Sequence, residues 1–86
     1  MRGTGEGQLR FDDVEVRKGN RYEGQTLREV RIRDQANVLV VAIRGADGRF
    51  VYNPSAEQAI MSGSYIVVLG TTEGVLRLRA MLGDGA

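Results

Sequence analysis

Apolar residues fall in short clusters separated by polar, glycine-bearing segments, and the phase within each cluster predicts an element. In Leu9 to Val16, Leu9 and Phe11 alternate while Val14 and Val16 fall out of that phase, which predicts a strand with a bulge at Asp12-Asp13. A polar loop with two glycines, Arg17 to Gly24, follows. Thr26 then opens a capping box with Glu29, predicting a short helix over about Leu27 to Ile32. Val38 to Ile43 is a continuous apolar run rich in β-branched residues, the pattern of a central strand covered on both faces. Gly45-Ala46-Asp47-Gly48 is turn chemistry, and Phe50-Val51-Tyr52 reads as the returning strand of a hairpin that Asn53-Pro54 ends.

Ala56 to Ile60 carries no clear period and receives no element. A turn at Ser62-Gly63-Ser64 precedes a largely apolar strand, Tyr65 to Leu69. Gly70-Thr71-Thr72 breaks that strand and caps a last helix, Glu73 to Leu82, with Thr72 as the capping residue. This helix places Val75, Leu78 and Leu82 on one face with Met81 beside them, turns Arg77 and Arg79 outward, and stops at Gly83. The order predicts an α+β fold, a small mixed or antiparallel sheet with two short helices.

The length, 86 residues, allows one domain with a small core. Residues 1–8 read as a flexible linker, 9–82 as the domain and 83–86 as a flexible tail. Without cysteine there is no disulfide to add, so self-association is the cheapest further source of stability. Without cysteine or histidine a structural zinc site is excluded, and only carboxylates and carbonyls remain for a hard cation such as calcium. Basic and acidic residues number 12 and 11 and are interleaved, without the concentrated basic stripe by which duplex binding usually shows. The longest apolar run is far short of the ~20 residues of a membrane span, and no signal-peptide pattern opens the chain, so a cytoplasmic location is expected.

Three stretches carry a resemblance to the C-terminal domain of regulators of potassium conductance, the RCK-C or TrkA C-terminal domain. They are Tyr22 to Glu29, where a glycine, a small residue and a leucine open a helix; Val38 to Arg44 followed by Asp47 to Pro54, with apolar strand, arginine, turn, glycine, strand and Asn-Pro; and Gly63 to Thr71. One departure is Ser64, where the family usually has aspartate; a serine makes the same turn hydrogen bond more weakly. The resemblance implies a regulatory domain that forms a homodimer and gates a potassium channel, uptake system or antiporter at the inner face of the membrane. It also implies an RCK-N nucleotide-binding domain and a pore or transporter subunit as partners. The G-x-G-x-x-G fingerprint of the nucleotide-binding domain is absent from this chain.

Some family members bind cyclic di-AMP between two such domains. Carried over by position, the implied ligand residues are Ile32, Arg33, Val40 and Pro54: an arginine to pair with phosphate, an Ile-Pro wall to hold a base, and an apolar contact. Asp34 and Leu39 depart from the polar and small residues of binding members. The competing reading makes Arg28, Arg31 and Arg33 surface partners of Glu29 and Asp34. Asp12, Asp13 and Glu15 could meet calcium, or simply solvate an edge strand, since successive strand residues point to opposite faces. Gly70 to Gly74 could cradle an anion, but Glu73 opposes it and helix capping is the simpler reading. Ser55, Ser62 and Ser64 have no histidine or nearby lysine as base, so no catalytic site is expected.

Overall fold

The computed structural model describes residues 8–84; all but the last residue of the expected linker and part of the expected tail lie outside them. Strand β1 (Arg10–Glu15) leads to two helical turns, α1 (Leu27–Val30) and α2 (Ile32–Ala36). The hairpin of β2 (Leu39–Arg44) and β3 (Phe50–Tyr52) follows, then β4 (Tyr65–Gly70) and α3 (Thr72–Leu82). The strands form one antiparallel sheet in the order β1-β4-β2-β3. The chain thus has the α+β class and antiparallel sheet its pattern predicts.

Alternation decides which face of the sheet is covered. Ile66 and Val68 of β4 stand beside Val14 of β1 and Val40 and Ile43 of β2, facing the helices. With Val30, Ile32, Ala36, Ile60, Val75, Leu78 and Leu82 they enclose the core. The opposite face carries no helix and is also apolar: Phe11 and Leu39 flank Leu69, and both are more than half exposed. That open face corrects two expectations. β1 runs in unbroken register, because Phe11 belongs to the open face and Val14 to the core, so no bulge at Asp12-Asp13 is needed. β2 is covered on one face only, and the bulge lies in it instead, between Val40 and Ala42.

The predicted first helix breaks at Arg31, which takes a left-handed conformation (φ 56°, ψ 50°), and α2 continues to Ala36. Thr26 and Glu29 form the expected reciprocal capping box. The cap of α3 is Thr71, not Thr72: its hydroxyl accepts from the Gly74 N–H at 3.1 Å. Gly70 and Gly74 are glycines for packing. A Cβ on Gly70 would lie 2.5 Å from Val38 Cγ1, and one on Gly74 would lie 2.6 Å from the Ala36 carbonyl oxygen. This contact sets the end of α2 against the start of α3 and displaces the anion-loop reading. The Ser64 hydroxyl donates to the Met61 carbonyl, a bond that an acceptor-only aspartate could not make, so the serine does not reproduce the expected turn bond.

Arg79 does not turn freely outward. Its guanidinium bonds Asp12 at 3.0 Å and also pairs with Asp84, tying α3 to β1. Asp84 in turn accepts from the Glu15 N–H at 3.0 Å. Burial alone would raise the Asp12 carboxyl, but the Arg10 hydrogen bond and the charges of Arg79 and Arg10 outweigh it, leaving its pKa below the ordinary value. A carboxyl lowered by folding contributes stability above its unfolded pKa, ~3.9, and loses it as pH falls through the folded value. Asp12→Asn should therefore cost about 1–2 kcal/mol at neutral pH and flatten the decline of melting temperature below pH ~4, a profile measured by thermal unfolding across pH. Gly74→Ala should cost about 1–3 kcal/mol, because the added methyl meets backbone that has no room to yield; chemical denaturation of the two proteins gives the difference.

Candidate functional site

The Tyr22 to Gln25 turn and the stretch after Pro54 position the site. The Leu27 N–H donates to the Gln58 carbonyl and the Arg28 N–H to the Ala56 carbonyl, each at 2.9 Å. The Gly24 and Ile60 N–H groups donate to Ile60 and Gln25 carbonyls at 2.7 and 2.8 Å, and Thr26 forms an isolated bridge with Ala59. The stretch thus turns at Ala56-Glu57, where the Gln58 N–H donates to the Ser55 carbonyl at 3.0 Å, and then pairs through Ala59 with the entry to α1. Its pairing is carried by the main chain, which explains why its side chains show no period. Through it, Pro54 and Ala56 come to stand opposite α1 and α2.

Between them lies a groove of about 670 Å³ lined by Leu27, Arg28, Arg31 to Asp34, Val38 to Val40, Pro54 and Ala56. All four residues implied by the resemblance, Ile32, Arg33, Val40 and Pro54, line this one groove. Ile32 is only 3% exposed and belongs to the core, so it offers the groove an edge and not a face. Leu27, Arg28, Arg31 and Ala56 were not singled out as site residues from the sequence. The capping box at Thr26 does mark where that wall begins.

The three arginines of this region are in different electrical states. Arg28 pairs with Glu57 at 2.7 Å and Arg31 with Asp34 at 2.8 Å, both pairs largely exposed. Glu29 is occupied by the capping box. Arg33 forms no ion pair among the described residues and remains exposed at the groove, next to Leu39. The groove therefore combines an apolar floor with one guanidinium whose charge is not neutralised, a setting for a flat apolar group bearing an anion. The carboxylates considered for calcium do not converge: Asp12 is held by Arg10 and Arg79, and Asp13 lies 4.0 Å from Arg44 on the open face. No group of carboxylates able to hold a metal is found among the described residues, and none of their helices is long and apolar enough to cross a membrane.

The architecture is that of RCK C-terminal domains, as comparison with solved structures shows. The RCK_C domain dimer of S. agalactiae BusR, in complex with c-di-AMP, matches with a TM-score of 0.82 at 22% identity, over 91% of this chain and 95% of that one. The RCK C domain of the potassium transport protein KtrA, also in complex with c-di-AMP, matches at 0.75 and 16% identity, over 85% and 82%. The GsuK channel bound to NAD matches at 0.73 and 20% identity, over 87% of this chain but 14% of that one. The sequence pattern of the TrkA-C domain matches residues 13–83, and the chain belongs to that family. No curated protein matches the sequence.

The different burial of the neighbours Ile32 and Arg33 predicts different contributions to folding. Ile32→Ala should cost about 2–4 kcal/mol of stability, whereas Arg33→Ala should cost less than ~0.5 kcal/mol. Denaturant titration of both variants tests the contrast.

Proposed function

We propose that the chain is the ligand-sensing and dimerisation domain of a potassium channel or cation transport system, and that its groove binds cyclic di-AMP. The observation that carries this reading is convergence: the positions implied by the resemblance, drawn from α2, β2 and the loop after β3, line one groove in which Arg33 has no ion pair among the described residues. Leu27, Leu39, Val40 and Pro54 supply apolar surface for a purine, and Arg33 supplies a charged donor for a phosphate oxygen. Two relatives of the same fold are known as complexes with c-di-AMP, which supports the choice of ligand.

The ligand acts by population shift. Two copies of the domain adopt more than one relative arrangement, and a ligand bound across them favours the arrangement it fits better by its difference in affinity. The rest of the parent system, an RCK-N domain and a pore or transporter subunit, reads that arrangement as activity. BusR in complex with promoter DNA also contains this fold, over 39% of that chain, so the same sensing unit serves partners other than a pore. A module without a ligand of its own, acting only to hold two subunits together, is the alternative; the unneutralised Arg33 beside exposed apolar surface favours the sensing role.

Calorimetric titration with cyclic di-AMP decides between them. Wild type should bind, and Arg33→Ala should weaken binding by about ten- to a hundredfold, the ~1.5–3 kcal/mol of a charged hydrogen bond, with folding unchanged. Equal affinities for the two proteins, or no heat with either, would remove the site.

A further inference from the structure

A second cavity, of about 380 Å³, shares no lining residue with the groove. The hairpin turn at Gly45 to Asp47 forms one wall and the stretch from Gln58 to Ser62 the other, with Ile43 and Ser64 completing the lining.

The main chain of the second wall presents donors that have no acceptor. Ladder bonds to the entry of α1 flank Ala59: the Leu27 N–H donates to the Gln58 carbonyl at 2.9 Å, and the Ile60 N–H to the Gln25 carbonyl at 2.8 Å. Ala59 therefore faces Thr26 as a non-hydrogen-bonded pair, and its own N–H and C=O point away from α1. Met61, two residues on, repeats that direction. Both carbonyls on this side are already occupied. Gln58 Nε2 donates to the Ala59 carbonyl at 3.3 Å, and the Met61 carbonyl accepts from the Ser64 N–H at 3.2 Å and from the Ser64 hydroxyl. The Ala59 and Met61 N–H groups, by contrast, have no acceptor among the described residues. A pairing peptide strand needs free carbonyls beside free amides. A wall that offers amides alone suits a carboxylate, which accepts without donating.

The facing wall has the opposite character. Asp47 Oδ1 accepts the Arg49 N–H at 2.9 Å, while Oδ2 lies 3.9 Å from Arg49 Nε, too far for a hydrogen bond. That oxygen keeps its lone pairs for an incoming donor, and its charge repels a ligand that carries a carboxylate and nothing else. The ligand that satisfies both walls bears a carboxylate at one end and an ammonium at the other.

We propose that this cavity binds a free α-amino acid with an aliphatic side chain. Its carboxylate accepts from the Ala59 and Met61 amides and its ammonium donates to Asp47. The side chain lies against Ile43, Ala46 and Met61, the last of which is 54% exposed at the rim. The volume is at the small end of ligand cavities, as one such molecule requires. Because the two linings are separate, this inference stands independently of what the groove binds.

Amide-resolved NMR of the full chain, titrated with L-leucine, tests the site. The expected result is saturable shifts at the Ala59 and Met61 amides, with Arg33 and Leu39 in the groove unmoved. L-leucinamide lacks the carboxylate and N-acetyl-L-leucine lacks the ammonium, so each should bind about tenfold more weakly. Asp47→Asn keeps an acceptor for the Arg49 N–H but loses the charge, and should weaken L-leucine binding by about two- to fivefold. The absence of saturable shifts at Ala59 and Met61 up to the solubility of L-leucine overturns the site, as do shifts confined to the groove. Equal binding of the three compounds overturns the assignment to an amino acid, since apolar contact alone would then account for it. If Asp47→Asn fails to fold, the three compounds on the wild-type protein still decide.

Discussion

The approach of Val38 and the end of α2 to Gly70 and Gly74 is the constraint on which the rest of the structure depends. The Val38 side chain lies against Gly70 and the Ala36 carbonyl against Gly74, at separations that no side chain at either glycine would permit. The contact lies between the exit of β4 and the first turn of α3, so it fixes both relative to α2. The cap by Thr71 completes the junction, because its hydroxyl accepts from the Gly74 N–H, which in the first turn of α3 has no helical partner. Once α2 is seated, β2 must leave it toward the centre of the sheet, and Arg33 must face the groove.

Charge is used in two unlike ways on the two sides of the molecule. At the β1 side, Arg79 gathers Asp12 and Asp84 into a partly buried cluster, joining residues from the two extremes of the described chain. Such a cluster contributes by geometry and by the lowered pKa of Asp12 more than by counting ion pairs. At the groove, the pairs of Arg28 and Arg31 are exposed and contribute little to stability. Arg33 is left as the arginine of the groove without an ion pair among the described residues.

Much of the fold was legible in the sequence wherever a local rule coincided with the tertiary one. The Gly45 to Gly48 turn, the Asn53-Pro54 stop, the Thr26 capping box and the apolar stripe of α3 each have a single local solution, and the structure adopts it. Errors arose where a residue obeyed a distant neighbour. Phe11 is out of phase with Val14 because the open face of the sheet is apolar too, so the phase change mimicked a bulge. The true bulge near Val41 was hidden in a run in which every position is apolar. Arg31 gives no warning of a left-handed backbone, which glycine or asparagine would have done. As for the groove, its four implied residues came from resemblance alone. Residue chemistry had offered only a cluster of arginines, and nothing in the sequence of Ala56 to Ile60 revealed that its main chain would close the far wall.

The left-handed joint at Arg31 builds one wall of the groove from two separately anchored pieces. α1 hangs by main-chain bonds from Ala56 and Gln58, while α2 is clamped against α3. The residue that joins them carries a backbone cost of order 1–3 kcal/mol, and its neighbours on either side, Val30 and Ile32, are both buried in the core. The bend is therefore locked from beneath. The outline of that wall is inherited from the interior, so that a change in its angle would have to repack the core as well.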